Sequence, residues 1–278
     1  ALQYDIIDAT MPFDAYKLLI LPDDLTADAA LQAKIEAYVQ QGGAVLACAQ
    51  GGLNLATGKY PGAFGVNWHG TNELYPDFIL PQGDLAQGLD EEGKYAIYLP
   101  GEVITLDGAK PALTAVAPYF ARKGRTFCSH RYTPAAPGDA YPVAARKGQV
   151  LLFAHPLFRQ YRDNAPHWCK ALVKNAITAL LGTPMVAHDG PSTLTVSVLE
   201  QPQHQRYVAH ILHYIPVRKS ATIDVIEEAS PIDSVTLAFN LPKAITRARI
   251  VPEGTELPVT DGRVTITGAR GYVVLELT

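Results

Sequence analysis

The 278-residue sequence has little cysteine, no long apolar run and no excess of charge of either sign, and each shortage excludes something. No stretch approaches the roughly 20 consecutive apolar residues that a membrane-spanning helix needs, and no basic patch followed by an apolar segment marks a signal peptide. The balance of 23 Lys and Arg against 27 Asp and Glu leaves a net charge of -4, with no cationic excess to grip nucleic acid or anionic lipid. Neither a nucleic-acid nor a membrane partner is expected. The three cysteines, Cys48, Cys128 and Cys169, are odd in number and far apart among apolar neighbours. That pattern argues against a disulfide framework or clustered zinc ligands and for a reducing, cytoplasmic compartment. No internal repeat or low-complexity tract is evident.

What is present is 48% apolar residues, enough for two domains each burying its own core. The run "AYKLLILPDD" (15–24) reads as a strand buried on both faces of a parallel sheet. Thr26 is placed to cap a following helix, and Leu31, Ile35, Tyr38 and Val39 recur at helical spacing before Gly42 and Gly43 stop it. "AVLACA" (44–49) is the next strand, so the three elements predict a βαβ unit with a right-handed crossover. From Leu53 to Lys147 the helical period disappears, and short runs such as "YAIYLP", "EVITL" and "ALTAVAPYF" predict strands and long loops. "GQVLLFAHP" (148–156) returns a buried strand, followed by an amphipathic helix marked by Trp168, Leu172, Val173, Ile177, Leu180 and Leu181, with Pro166 in its first turn. "GTPMVAHDGPST" (182–193) is the expected linker. Beyond it the period becomes two, with strand-like runs at 206–215, 221–226, 234–239, 246–251, 263–267 and 272–277, the pattern of an antiparallel β-sandwich.

Candidate chemistry centres on Cys48, which ends an apolar strand before Gly51 and Gly52. A nucleophile elbow needs small residues two places either side of the nucleophile. About Cys48 those places hold Leu46 and Gln50, which favours a packing role. His155 in "FAHPLF" is placed as a base, but Leu157 stands where an orienting glutamate would be and accepts no hydrogen bond. His204, His210 and His213 form no metal set, because residues three apart on a strand face opposite ways. The acid pairs Asp23–Asp24 and Glu91–Glu92 read as loop residues rather than as carboxyls facing across a glycosidic bond. No catalytic, cofactor-binding or metal-binding residue is assigned. The stretch 62–78, with Phe64, Trp68, Tyr75 and Phe78 and only Glu73 and Asp77 charged, is the expected subunit-contact region.

"AYKLLILPDDLTADAALQAKIEAYVQQGGAVLACAQGG" resembles the trimerisation domain of β-galactosidases and related glycoside hydrolases and α-L-fucosidases. The resemblance continues at "GQVLLFAHPLFRQYRDNAPHWCKALVKNAITALLG" and at "RYVAHILHYIP". It implies a flavodoxin-like domain of the class I glutamine amidotransferase kind over 1–185, lacking that domain's first strand and helix, then a C-terminal β-sandwich over 190–278. It also implies a noncatalytic oligomerisation region of a carbohydrate-processing enzyme, a homo-oligomer that is trimeric at full length. The catalytic barrel of that enzyme, about 250 residues, would precede this chain, whose start at Ala1 without methionine suits a processed chain or a piece of a longer one. In the family, such a domain can help enclose an active site of its own or a neighbouring subunit. The alternative is a free-standing cysteine-dependent hydrolase or amidotransferase using Cys48 and His155.

Overall fold

The computed structural model describes residues 2–122 and 124–278, which form two compact units: Asp8–Gly182, and residues 2–7 together with Thr183–Thr278. In the first unit, strands β1 (Leu18–Leu21) and β2 (Ala44–Cys48) are parallel and joined by helix α1 (Ala29–Gln40). The helix starts at Asp28 rather than at Thr26, because the Asp28 carboxylate accepts the Leu31 amide at 2.8 Å. It buries Ile35 and Tyr38. Each such side chain removed from water contributes about 1.5–3 kcal/mol.

Strands β3 (Val66–Thr71), β4 (Asp77–Leu80), β5 (Tyr95–Ile97), β6 (Glu102–Leu106), β7 (Lys110–Val116), β8 (Tyr141–Lys147) and β9 (Val150–Phe153) follow, then helices α2 (Leu157–Asn164) and α3 (His167–Leu181). The main sheet has seven strands in the order β1-β2-β9-β8-β7-β4-β5. Only β1, β2 and β9 run parallel; β8, β7, β4 and β5 extend the same sheet antiparallel, so it is mixed rather than parallel. The segment expected to be strands and loops thus supplies over half of the sheet. Leu46, Ile79, Leu113, Leu151 and Phe153 from the strands meet Leu157, Leu172 and Leu180 from the helices in one buried cluster. Helix α2 was not expected, and Pro166 caps α3 rather than lying in its first turn.

The second unit is antiparallel. A four-stranded sheet, β10-β15-β19-β18, uses β10 (Val186–His188), β15 (Pro231–Phe239), β18 (Val259–Thr260) and β19 (Arg263–Arg270). A five-stranded sheet, β11-β12-β20-β16-β17, uses β11 (Leu194–Gln201), β12 (Arg206–His213), β16 (Ala248–Val251), β17 (Thr255–Leu257) and β20 (Tyr272–Leu277). Between them in sequence, β13 (Val217–Arg218) and β14 (Asp224–Val225) pair with each other. The expected linker at 182–193 contains β10, which pairs with β15. Period two is explicit in β11, where Leu194, Val196 and Val198 are buried between more exposed Thr and Ser neighbours. Both sheets contribute to a single apolar cluster, including Val196, Ile211, Leu237, Val264 and Leu275. The Gln3 side-chain amide is tied to both backbone groups of Val198, at 2.9 and 3.1 Å.

Candidate functional site

The carboxyl ends of β1, β2 and β9 and the starts of β4 and β8 carry the chemically capable residues of the first unit. Cys48 ends β2 fully buried, opposite Phe153. Burial, then the nearby Asp23 and Cys169, pushes its thiol well above the ordinary range. An acid group in that state stays protonated at neutral pH and is a poor nucleophile.

The sharp turn comes one residue later. Ala49 has φ +44°, the Cys48 carbonyl accepts the Gly51 amide at 2.8 Å, and a Cβ at Gly51 would lie 2.4 Å from the Leu21 carbonyl oxygen. Read about Ala49, the positions two either side are Ala47 and Gly51, the small-residue pattern that a strand-to-turn elbow requires. The structure therefore has an elbow-like turn with a methyl group at its apex. The turn lies one residue beyond Cys48, at an alanine that carries no chemical signal, while Cys48 itself packs in the interior. The surrounding polar groups are also engaged. The Gln50 amide, which in an elbow would face a developing oxyanion, donates to the Asp23 carbonyl at 2.9 Å, and the Tyr60 hydroxyl donates to the Ala49 carbonyl at 2.5 Å.

His155 follows β9 and is buried, and it does have an acid partner: its Nε2 lies 2.6 Å from Asp77 Oδ2. The orienting carboxylate comes from β4 rather than from position 157, where Leu157 is buried in the core. Asp77 also accepts the Tyr141 hydroxyl from β8 and lies 3.4 Å from the Asn72 side-chain nitrogen. Burial first, and then this carboxylate, drives the Tyr141 phenol far up. A Cβ at Gly101 would come within 2.5 Å of the His155 ring, so glycine there makes room for the imidazole. Glu102, nearby in sequence on β6, is held by Gln50 Nε2 at 3.1 Å, Trp68 Nε1 at 2.7 Å and Thr71 Oγ1 at 3.2 Å.

The other candidates are separated. Asp23 is buried and accepts the Arg159 amide at 2.6 Å at the start of α2, whereas Asp24 is exposed. Burial raises the Asp23 carboxyl despite these amide bonds. Glu91 and Glu92 are exposed. His213 is buried beside Thr193, while His210 stacks on Tyr272. In the region 62–78, Phe64 is buried against Tyr60, and the half-buried Trp68 donates its indole N–H to Glu102.

Residues 1–152 match the β-galactosidase trimerisation domain family. The fold superposes on α-L-fucosidase isoenzyme 2 from Paenibacillus thiaminolyticus with a TM-score of 0.89 and 26% identity, covering 98% of this chain and 42% of that one. It also superposes on the β-galactosidase from Bacillus circulans sp. alkalophilus (TM-score 0.63, 17% identity, covering 99% of this chain and 35% of that one). A third match is the β-galactosidase from Rahnella sp. R3 (TM-score 0.58, 19% identity, covering 98% and 34%). No curated protein matches the sequence. The chain spans less than half the length of each of these solved enzymes. With more than half of its residues matched, this chain belongs to the β-galactosidase trimerisation domain family.

Proposed function

We propose that this chain is a noncatalytic accessory and oligomerisation region of a carbohydrate-processing glycoside hydrolase. In this reading the first unit is a flavodoxin-like domain of the glutamine amidotransferase kind and the second is a β-sandwich. The observation that carries it is the superposition on the fucosidase over 98% of this chain, joined to the family match. The longer enzyme acts on a fucoside or a galactoside, as do the fucosidase and the β-galactosidases on which the chain superposes. Three free cysteines, two of them buried, fit a reducing cytoplasmic setting. The assembly is a homo-oligomer, and a trimer at full length.

Expressing this chain and the complete reading frame side by side tests the proposal. The chain should leave aryl α-L-fucosides and aryl β-galactosides intact, and the complete protein should hydrolyse one of them and sediment as a trimer. Hydrolysis by the chain itself, or a complete protein that stays monomeric at micromolar concentration, overturns it.

A further inference from the structure

Between Asp107 and Asp139 the sequence holds no acidic residue and five basic ones, Lys110, Arg122, Lys123, Arg125 and Arg131, in a chain of net charge -4. The described residues of this stretch, 117–122 and 124–136, form a finger. Its stem is closed by the Tyr119 amide on the Pro134 carbonyl at 3.2 Å and the Ala136 amide on the Ala117 carbonyl at 2.9 Å. Within the stem, the buried Thr133 hydroxyl donates to the Phe120 carbonyl at 2.9 Å and accepts its amide at 3.3 Å. Beyond the stem, the Arg122 guanidinium lies 4.8 Å from the centre of the Phe127 ring, and that of Arg131 lies 5.2 Å from the centre of Tyr132. Tyr132 packs on Tyr98 at 5.3 Å. Phe127 is nevertheless 70% exposed and Tyr119 57%.

Exposed rings interleaved with arginine are the residue types enriched at the energetic centres of protein interfaces. The complementary charge is on the same unit. Asp90, Glu91 and Glu92 are the only run of three acidic residues in the sequence, and all three are exposed just before edge strand β5, whereas Tyr98, on which Tyr132 of the finger packs, follows that strand. Among the described residues, neither this acidic turn nor Arg122, Arg125 or Arg131 takes part in a salt bridge. Each group thus has charge available to the other.

We propose that the finger of one copy docks on the acidic turn at 90–92 of a second copy of this chain. Arg122 and Arg131 meet the carboxylates, and Phe127 and Tyr119 supply the apolar contact. A contact between different patches on the two partners leads from one copy to the next, and it closes as a ring where the rotation between copies returns to the first. The proposal rests on the oligomerisation reading above and names its surface.

Sedimentation of the full 278-residue chain at tens of micromolar, in low and high salt, tests it. The native chain should associate, less so as salt rises. Arg122→Glu with Arg131→Glu should weaken association about tenfold or more, as should Glu91→Lys with Glu92→Lys. Mixing the two reversed variants should restore a complex, because an acidic finger then meets a basic turn. All these side chains are exposed, so unfolding midpoints should stay near native, and the mixing arm controls for any that do not. Association that ignores both reversals overturns the finger contact and leaves the oligomerisation reading standing. A native chain that is monomeric under all these conditions overturns the contact together with self-association of this chain, while a trimeric complete protein would still uphold the broader reading.

Discussion

In the unit Asp8–Gly182, the polar groups that matter lie inside, gathered where strands begin and end: Asp23, Asp77, Glu102 and His155 are all buried. In Thr183–Thr278 the main ion pairs lie toward the outside of the sheets, where Glu276 takes Arg206 and, at 2.6 Å, Arg249, and Arg247 meets Glu256 at 2.7 Å. The interior of that unit is chiefly aliphatic, with His213 as a polar exception. The contrast separates two uses of polarity. Buried groups depend on every partner, because a lost acceptor cannot be replaced by water. Surface pairs are exchangeable, because water takes over when one partner leaves.

The largest break in this contrast should come from Asp77→Ala, which strands His155 and Tyr141 without their acceptor. It should cost about 3–5 kcal/mol in urea unfolding. Replacing both partners, Asp77→Leu with His155→Leu, should recover part of that. A single-variant loss below about 1 kcal/mol would place the buried cluster in the same class as a surface pair.

Gly51→Ala tests backbone crowding at the turn, since its Cβ would meet the Leu21 carbonyl oxygen at 2.4 Å. A loss of about 1–3 kcal/mol is expected. Gly254 in the second unit also has positive φ, but with nothing within 4 Å, so Gly254→Ala should cost only the left-handed backbone penalty of about 1 kcal/mol. Equal losses at the two sites would remove steric closure as the distinction.

The Cys48 thiol, pushed up by burial, then by Asp23 and Cys169, stays protonated in the fold after the unfolded chain has begun to ionise near pH ~8.5. The unfolded state then binds fewer protons, so stability should fall as pH rises from there, by up to about 1.4 kcal/mol per pH unit for this group. The slope should be shallower in Cys48→Ala. Iodoacetamide should leave Cys48 of the native protein unmodified at neutral pH, with peptide mapping as the readout; rapid labelling with the fold intact would revive the nucleophile.

The smallest effect belongs to Glu276→Gln. Burial pulls this carboxyl up, but the hydrogen bonds and charges of Arg249 and Arg206 outweigh it and hold the group below the usual range. A depressed folded value contributes stability above the unfolded carboxylate pKa and loses it as pH falls through the folded one. The variant should therefore be less stable by about 1 kcal/mol or less near neutrality, with the difference closing below pH ~4.

The helical period of Leu31, Ile35 and Tyr38 and the apolar runs on either side made the β1–α1–β2 unit legible, because those signals are local. The partners of β4, β5, β7 and β8 were not legible: a strand's period tells which face is buried and nothing of which distant strand it joins. Helix α2, "LFRQYRDN", is short and mostly polar, so its apolar stripe falls below what a pattern can carry. At the site, His155 was identifiable from its place after a strand, whereas Asp77, 78 residues earlier, became its partner only through the sheet.

The Ala49 turn also has a bearing on how such a chain can change over generations. A thiol or hydroxyl at position 49 is a single substitution away, yet it would arrive with the Gln50 amide still donated to Asp23 and the Tyr60 hydroxyl still on the Ala49 carbonyl. Acyl chemistry would require those contacts to open together with the nucleophile's arrival, and none of the separate changes confers it alone. The contacts that hold the turn in shape would therefore keep a nucleophile at position 49 from acting until both were broken.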